Sequence, residues 1–257
     1  MTQIPSGTPD FLERQDGEQL AYVKTEAASG KEKPTVVFLG GFMSDMEGSK
    51  ATFLEQLARD EGFGYVRFDY LGHGQSSGRF VDGTISRWTE DALTIVDELT
   101  EGPLILIGSS MGGWIMLNIA LQRADRIHSL IGIAAAPDFT QELMWEKFDQ
   151  DAKDALLNEG VYHQPSDYGD PYPITLKLIE DGRQHLLLNR KLPIDCPVHL
   201  LQGMQDKPVP WDYAPRIVEA LRSTDVQVTL IKDGDHSLSR EEDLERLKSL
   251  LTGMLHQ

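Results

Sequence analysis

Residues 104–113 read Leu-Ile-Leu-Ile-Gly-Ser-Ser-Met-Gly-Gly, and an apolar stretch of helical character at 115–121 follows. A short apolar run of this kind predicts a buried strand. It leads directly into Gly108-Ser109-Ser110-Met111-Gly112, a G-x-S-x-G pattern between strand and helix, where a sharp turn exposes the Oγ of Ser110. Gly108, Gly112 and Gly113 keep bulky side chains out of that crowded crossing. The bare pattern decides nothing, because Gly74-Gln75-Ser76-Ser77-Gly78 repeats it. That copy reads as a loop: the preceding strand ends near Tyr70, Gly72 and Gly74 intervene, and no apolar helical run follows Gly78.

Outward from Ser110 the same alternation recurs. Val36-Val37-Phe38-Leu39, Tyr65-Val66-Arg67-Phe68, Leu130-Ile131-Gly132-Ile133, Val198-His199-Leu200-Leu201 and the run 226–231 join 104–107 as candidate strands. Between them Ile85, Trp88, Ala92, Ile95, Val96 and Leu99 recur at helical spacing until Gly102-Pro103. Phe53, Leu54, Leu57 and Ala58 mark another helix, 217–221 a further one, and Leu244, Leu247, Leu250 and Leu251 the last. The expected class is α/β, a mostly parallel central sheet of six such strands with helices on both faces. Asp16-Gly17, between Phe11-Leu12 and Leu20-Ala21-Tyr22-Val23, predicts a two-residue hairpin whose antiparallel strands lie at the sheet edge. The rhythm fails over 138–192, too long a connection to be structureless, so an insertion is expected there. Phe139, Leu143, Met144, Phe148, Ala152 and Leu156 give it a helical stripe. The expectation is one domain over 1–257 with a helical cap, 138–192, within it.

A serine hydroxyl needs a base to take its proton and an acid to orient that base. After a turn of this kind the chain order is serine, acid, histidine. The last candidate strand ends in Lys232-Asp233-Gly234-Asp235-His236, making His236 the expected base. His73 precedes the serine, His128 lies before a strand, His163 and His185 are in the insertion, His199 is mid-strand and His256 is terminal. Gln202-Gly203-Met204-Gln205-Asp206 presents an acid just past a strand end, so Asp206 is the expected orienter, with Asp138 in reserve. Asp233 and Asp235 are too near His236 in the chain and fit turn chemistry. Two backbone donors would hold a developing oxyanion: Met111 after the serine, and Phe42, or Gly41 beside it, in Leu39-Gly40-Gly41-Phe42. In the insertion Met144, Trp145, Phe148, Leu156, Leu157 and Tyr162 either line a pocket or pack the cap onto the core.

The 41 acidic residues outnumber 24 basic ones, for a net charge of −17, which disfavours nucleic acid as a partner. No apolar run reaches the roughly 20 residues of a membrane span. The opening Met1-Thr2-Gln3-Ile4-Pro5 lacks signal-peptide features, and the single cysteine, Cys196, fits a reducing compartment, so a cytoplasmic protein is expected.

With Gly108-Ser109-Ser110-Met111-Gly112-Gly113-Trp114, the 202–206 segment and Gly234-Asp235-His236 assembled, the chain resembles the α/β-hydrolase superfamily. Leu39-Gly40-Gly41-Phe42-Met43-Ser44-Asp45-Met46-Glu47-Gly48, Arg67-Phe68-Asp69-Tyr70, Pro208-Val209-Pro210-Trp211 and Ser223-Thr224-Asp225-Val226 further resemble the family of α/β-hydrolase domain-containing protein ten. That family comprises animal mitochondrial palmitoyl-protein thioesterases and acyl-glucuronide esterases with bacterial relatives. The likeness spans residues 36–240, is weaker in the insertion, and implies a catalytic triad of Ser110, Asp206 and His236. Without an Arg-rich presequence the chain reads as a bacterial cytoplasmic relative. The expected activity is that of a serine esterase or thioesterase, acting on a small-molecule acyl ester or thioester without metal or cofactor. An Asp at the position of Ser110 would instead mark a dehalogenase or epoxide hydrolase. The alternative is a non-catalytic small-molecule binding protein or receptor on the same fold.

Overall fold

A computed structural model of the protein describes residues 7–28, 33–165 and 171–256. The opening residues 1–6, read above for a leader, lie outside them. The strands are β1 (Asp10–Glu13), β2 (Gln19–Thr25), β3 (Thr35–Leu39), β4 (Tyr65–Phe68), β5 (Leu104–Ser109), β6 (Ile127–Ile133), β7 (Val161–Gln164), β8 (Tyr172–Thr175), β9 (Val198–Gly203) and β10 (Val226–Ile231). The helices are α1 (Ser49–Glu61), α2 (Ile85–Leu99), α3 (Met111–Gln122), α4 (Gln150–Glu159), α5 (Leu176–Arg183), α6 (Tyr213–Ala220) and α7 (Glu241–Leu255). One eight-stranded sheet has the order β1-β2-β4-β3-β5-β6-β9-β10. The six strands expected to be parallel are parallel, and β1 and β2 add an antiparallel edge.

The unbroken apolar run of β5 follows from cover on both faces. Leu104 and Leu106 pack with Ile95 of α2, Ile115 of α3 and Ile217 of α6. Ile105 and Ile107 point the other way, into Leu54 of α1 and Leu247 and Leu251 of α7. Because β3 and β6 flank β5, the turn that ends β5 lies in mid-sheet, with the loops after β3, β9 and β10 at the same edge.

Two local expectations change. The loop at Asp16-Gly17 is longer by one residue: the Arg14 N–H donates to Glu18 O at 2.8 Å, and Gly17, at φ 82°, closes a three-residue loop by donating to Arg14 O. That is a turn ending in a left-handed glycine. The segment between β6 and β9 is also not purely helical. A wide turn of π-helix, Thr140–Trp145, precedes α4, and the antiparallel hairpin of β7 and β8 precedes α5. Asp149 caps α4 through the Ala152 N–H at 2.9 Å, and Thr175 caps α5 through the Leu178 N–H at 3.1 Å.

A buried polar knot ties the loop after β3 to β4. Arg67 is fully buried and reaches Glu55 of α1 at 2.7 Å, Glu47 at 2.7 Å and the Met46 carbonyl at 2.7 Å. Asp69, two residues on, accepts the Met46 N–H at 2.7 Å and the Gln75 N–H at 2.8 Å. Both sides of the Met46 backbone are thus gripped from one strand end. Removing one member of a buried pair strands the other charge, so Arg67→Met should lower stability by about 3–5 kcal/mol in urea unfolding. Adding Glu55→Leu should restore part of that loss, and an unchanged midpoint for Arg67→Met would contradict the knot.

Candidate active site

The chain leaves β5 at Ser109 and enters α3 at Met111, so Ser110 makes the whole turn alone. It does so at φ 54° and ψ −118°, a conformation costly for a residue with a side chain. Neighbouring backbone holds it there: the Ser110 N–H donates to Ile133 O at 2.9 Å, and Ser110 O accepts from Ala136 N–H at 3.0 Å and from Gly113 N–H at 2.9 Å. The three glycines are sterically required. A Cβ at Gly108 would lie 2.4 Å from Gly112 O, one at Gly112 2.0 Å from Leu39 O, and one at Gly113 2.4 Å from the Cβ of Ala135.

From this turn a chain of hydrogen bonds crosses the sheet edge. Ser110 Oγ lies 3.1 Å from Nε2 of His236, and His236 Nδ1 lies 2.8 Å from Oδ2 of Asp206. With Asp206 ionised, Nδ1–H donates to the carboxylate and Nε2 accepts the serine proton. The Asp206 side chain is wholly buried, while that of His236 is 32% exposed, so the chain runs from the interior to an accessible edge. The remaining Asp206 valences are filled: Oδ2 also accepts from Gln202 Nε2 at 3.0 Å, and Oδ1 accepts from the Val209 N–H at 2.8 Å. Gln202 in turn donates to Val209 O at 3.1 Å. Sequence reasoning missed this clamp, since Gln202 reads only as the end of a strand.

Both expected donors border the serine. The Met111 N–H opens α3 and has no carbonyl four residues back within the helix to bond. The loop after β3 passes at backbone range, because a Cβ on Gly41 would come within 3.4 Å of the Ser110 Cβ. Phe42 follows, its ring against Phe80, Trp88 and Phe139 at centroid distances of 4.9, 5.9 and 5.7 Å.

The rival residues are committed elsewhere. Ser76 Oγ donates to Asp69 O at 2.6 Å and accepts from the Ala21 N–H at 2.8 Å, stitching β2 to the end of β4. Asp138 is buried, a condition that raises its carboxyl pKa, and accepts the amides of Leu187 and Leu188 at 2.8 and 2.9 Å. It fastens the end of the insertion rather than a histidine. Asp235 accepts the Leu238 N–H at 3.0 Å, and Asp233 pairs with Arg240 at 2.8 Å. His73 is buried and bonded to the loop after β3 rather than to Ser110, accepting from the Met43 N–H at 3.3 Å. Of the insertion's apolar residues, Leu156 lies in the insertion's own core and Leu157 is 59% exposed. Met144 and Phe42 pack against both that small core and the main one, at the seam between them. Among the described residues no group of three or more His, Cys, Asp or Glu side chains is arranged to hold a metal ion, and no helix is long and apolar enough to cross a membrane.

Comparison with known proteins agrees with this architecture. Residues 34–172 match the alpha/beta hydrolase fold family. The chain is 37% identical over 239 residues to the human mitochondrial palmitoyl-protein thioesterase ABHD10, covering 92% of this chain and 76% of that protein. The structure of mouse alpha/beta hydrolase domain-containing protein 10 superposes with a TM-score of 0.88 at 33% identity, covering 97% of this chain and 99% of that one. A protein from Agrobacterium vitis S4 superposes with a TM-score of 0.92 at 39% identity, covering 96% and 98%.

The contrast between the two buried aspartates is testable before any activity is assayed. Asp138→Ala leaves the buried Leu187 amide and the half-buried Leu188 amide without their acceptor and should cost about 2–4 kcal/mol of stability in urea unfolding. In the folded variant the His236 ring resonances should stay where they are in the wild type, whereas Asp206→Ala should move them. A shift of the same size in Asp138→Ala would contradict the separation of the two sites.

Proposed function

The chain belongs to the α/β-hydrolase fold family, and we propose that it is a serine hydrolase cleaving a carboxylic ester or thioester through an acyl-enzyme on Ser110. The observation that carries this reading is the continuous hydrogen-bonded path from Ser110 Oγ through His236 to Asp206, 3.1 and 2.8 Å, ending at a serine in a strained strand-to-helix turn. Kinship with a palmitoyl-protein thioesterase supports including thioesters in the substrate class.

In the proposed reaction Ser110 Oγ attacks the acyl carbon while His236 Nε2 takes its proton. The imidazolium so formed is held by the Asp206 carboxylate, which keeps its own charge. The carbonyl oxygen becomes an oxyanion bound by the N–H groups of Phe42 and Met111, donors whose preset geometry is worth about 3 kcal/mol or more each. As the tetrahedral centre collapses, the bond to the alcohol or thiol breaks and that group leaves with the proton from His236. Water then repeats the sequence: His236 takes its proton, its oxygen attacks the acyl-serine, and Ser110 departs with the proton restored. The carboxylic acid is released, with no metal or cofactor in any step. The segment 138–192 acts as a cap, and the seam at Met144 and Phe42 is where an acyl group would enter. A cytoplasmic setting completes the proposal, in keeping with one cysteine, Cys196, whose thiol burial pushes up to about 11.

A fluorophosphonate probe reports an activated serine without presupposing a substrate. Wild type and Ser76→Ala should label fully, Ser110→Ala not at all, and kcat for a p-nitrophenyl ester should fall by roughly 10⁴–10⁶ in Ser110→Ala. Asp206→Asn should retain the fold and lose about 10⁴ in kcat. A folded wild type that neither labels nor turns over any ester, yet binds small ligands, would overturn the enzyme reading in favour of a binding protein on this fold.

A further inference from the structure

The loop carrying Phe42 is held in a form its own sequence disfavours. Gly41 O accepts from the Ser44 N–H at 3.2 Å, closing a four-residue turn with Phe42 and Met43 at its centre. Met43 has φ 56°, while Phe42 is not among the positive-φ residues, which makes the turn type II. That type calls for glycine at the position Met43 occupies. The methionine side chain is 42% exposed, so packing does not force the conformation. Turning over the one peptide between Phe42 and Met43 would give a type I turn, in which Met43 is unstrained.

His73 opposes that flip. Its Nε2 accepts the Met43 N–H at 3.3 Å, and its Nδ1–H donates to Leu71 O at 3.4 Å. After a flip the Phe42 carbonyl would face Nε2 instead, acceptor against acceptor. The ring is fixed edge-on against Tyr70, Phe80 and Trp88, with centroids 5.7, 5.2 and 5.2 Å away. Burial pushes the imidazole down to about 4, so Nε2 keeps its lone pair through the neutral range. The peptide plane that His73 holds is hinged, at the Phe42 Cα, to the plane bearing the Phe42 N–H. Met46, further along the same loop, is clamped by Arg67 and Asp69, and the Met43 peptide is the joint that His73 secures.

We infer that His73 is a positioning residue of the hydrolytic site: by accepting the Met43 N–H it keeps the turn in its type II form and so holds the loop that carries the Phe42 N–H in place beside Ser110. This rests on the serine-hydrolase reading above. His73 takes no proton from substrate and touches no reacting atom; it acts through the backbone of the loop.

Three variants of the full chain test it, with active sites counted by fluorophosphonate labelling and rates measured on a p-nitrophenyl ester. His73→Phe keeps the ring and removes the acceptor; kcat should fall about 10-fold or more with KM within about 2-fold, less than the 10²–10³ typical of losing an oxyanion donor outright. His73→Gln returns an acceptor near Nε2 and should recover kcat to within about 3-fold of wild type. Adding Met43→Gly to His73→Phe removes the strain that drives the flip and should also recover most of the rate. Wild-type kcat in His73→Phe, or equal losses in all three folded variants, would overturn the inference while leaving the serine-hydrolase reading intact. A wild type in which Ser110 neither labels nor supports turnover would overturn both.

Discussion

The site is built around a serine held at φ 54° where a strand must become a helix. Such a conformation costs roughly 1–3 kcal/mol and persists only where the surroundings over-determine it. Here the surroundings are the ends of the parallel strands, each gripping the next. The Ser110 N–H is bonded to Ile133 O of β6, the Ala134 N–H to Leu201 O of β9, and the Met204 N–H to Ile231 O of β10. This ladder of strand ends passes from the serine to the loop of Asp206 and on to the loop of His236. The apolar packing of β5 against α3 on one side and α1 and α7 on the other supplies the stability that tolerates the strain.

Apolar burial sets where the loops arrive; polar contacts set how they are held once there. The loop after β3 is governed by Arg67, Asp69 and His73, all from β4 or just beyond it, and all bonded to backbone of that loop. The acid loop is governed in the same way by Gln202 and Val209, which leave the Asp206 carboxylate one free direction, toward His236. Similar local sequence therefore has different fates. Asp138 and Asp206 both follow a parallel strand, but the Asp138 carboxylate accepts from the amides of Leu187 and Leu188. Ser76 shares its pentapeptide pattern with Ser110, yet its hydroxyl completes the pairing of β2 and β4.

These differences explain what was legible in the residues alone. A strand covered on both faces writes an uninterrupted apolar run, so β3, β5, β6 and β9 could be read directly, and chain order pointed to the three side chains that the structure brings together. The β7–β8 hairpin could not be read. Its strands are four residues each, Pro173 stands in one, and their cover comes from within the insertion itself. The helical stripe from Phe139 to Leu156 was visible, but its interruption by a π-helical turn leaves no periodic trace. Asp16-Gly17 announced a hairpin whose loop length depended on one more cross-strand pair, Arg14 with Glu18. His73 and Gln202 were invisible as site residues because their partners are backbone groups or carboxylates brought near only by the fold.

The most direct measurement is to mix the protein with excess p-nitrophenyl acyl ester, quench in acid within the first turnover, and map the acyl group by peptide mass. The account predicts one acyl group per chain, on the peptide that contains Ser110, and none in Ser110→Ala. Turnover by wild type with the acyl group on another residue, or with no acylated peptide at all in the first turnover, would contradict it.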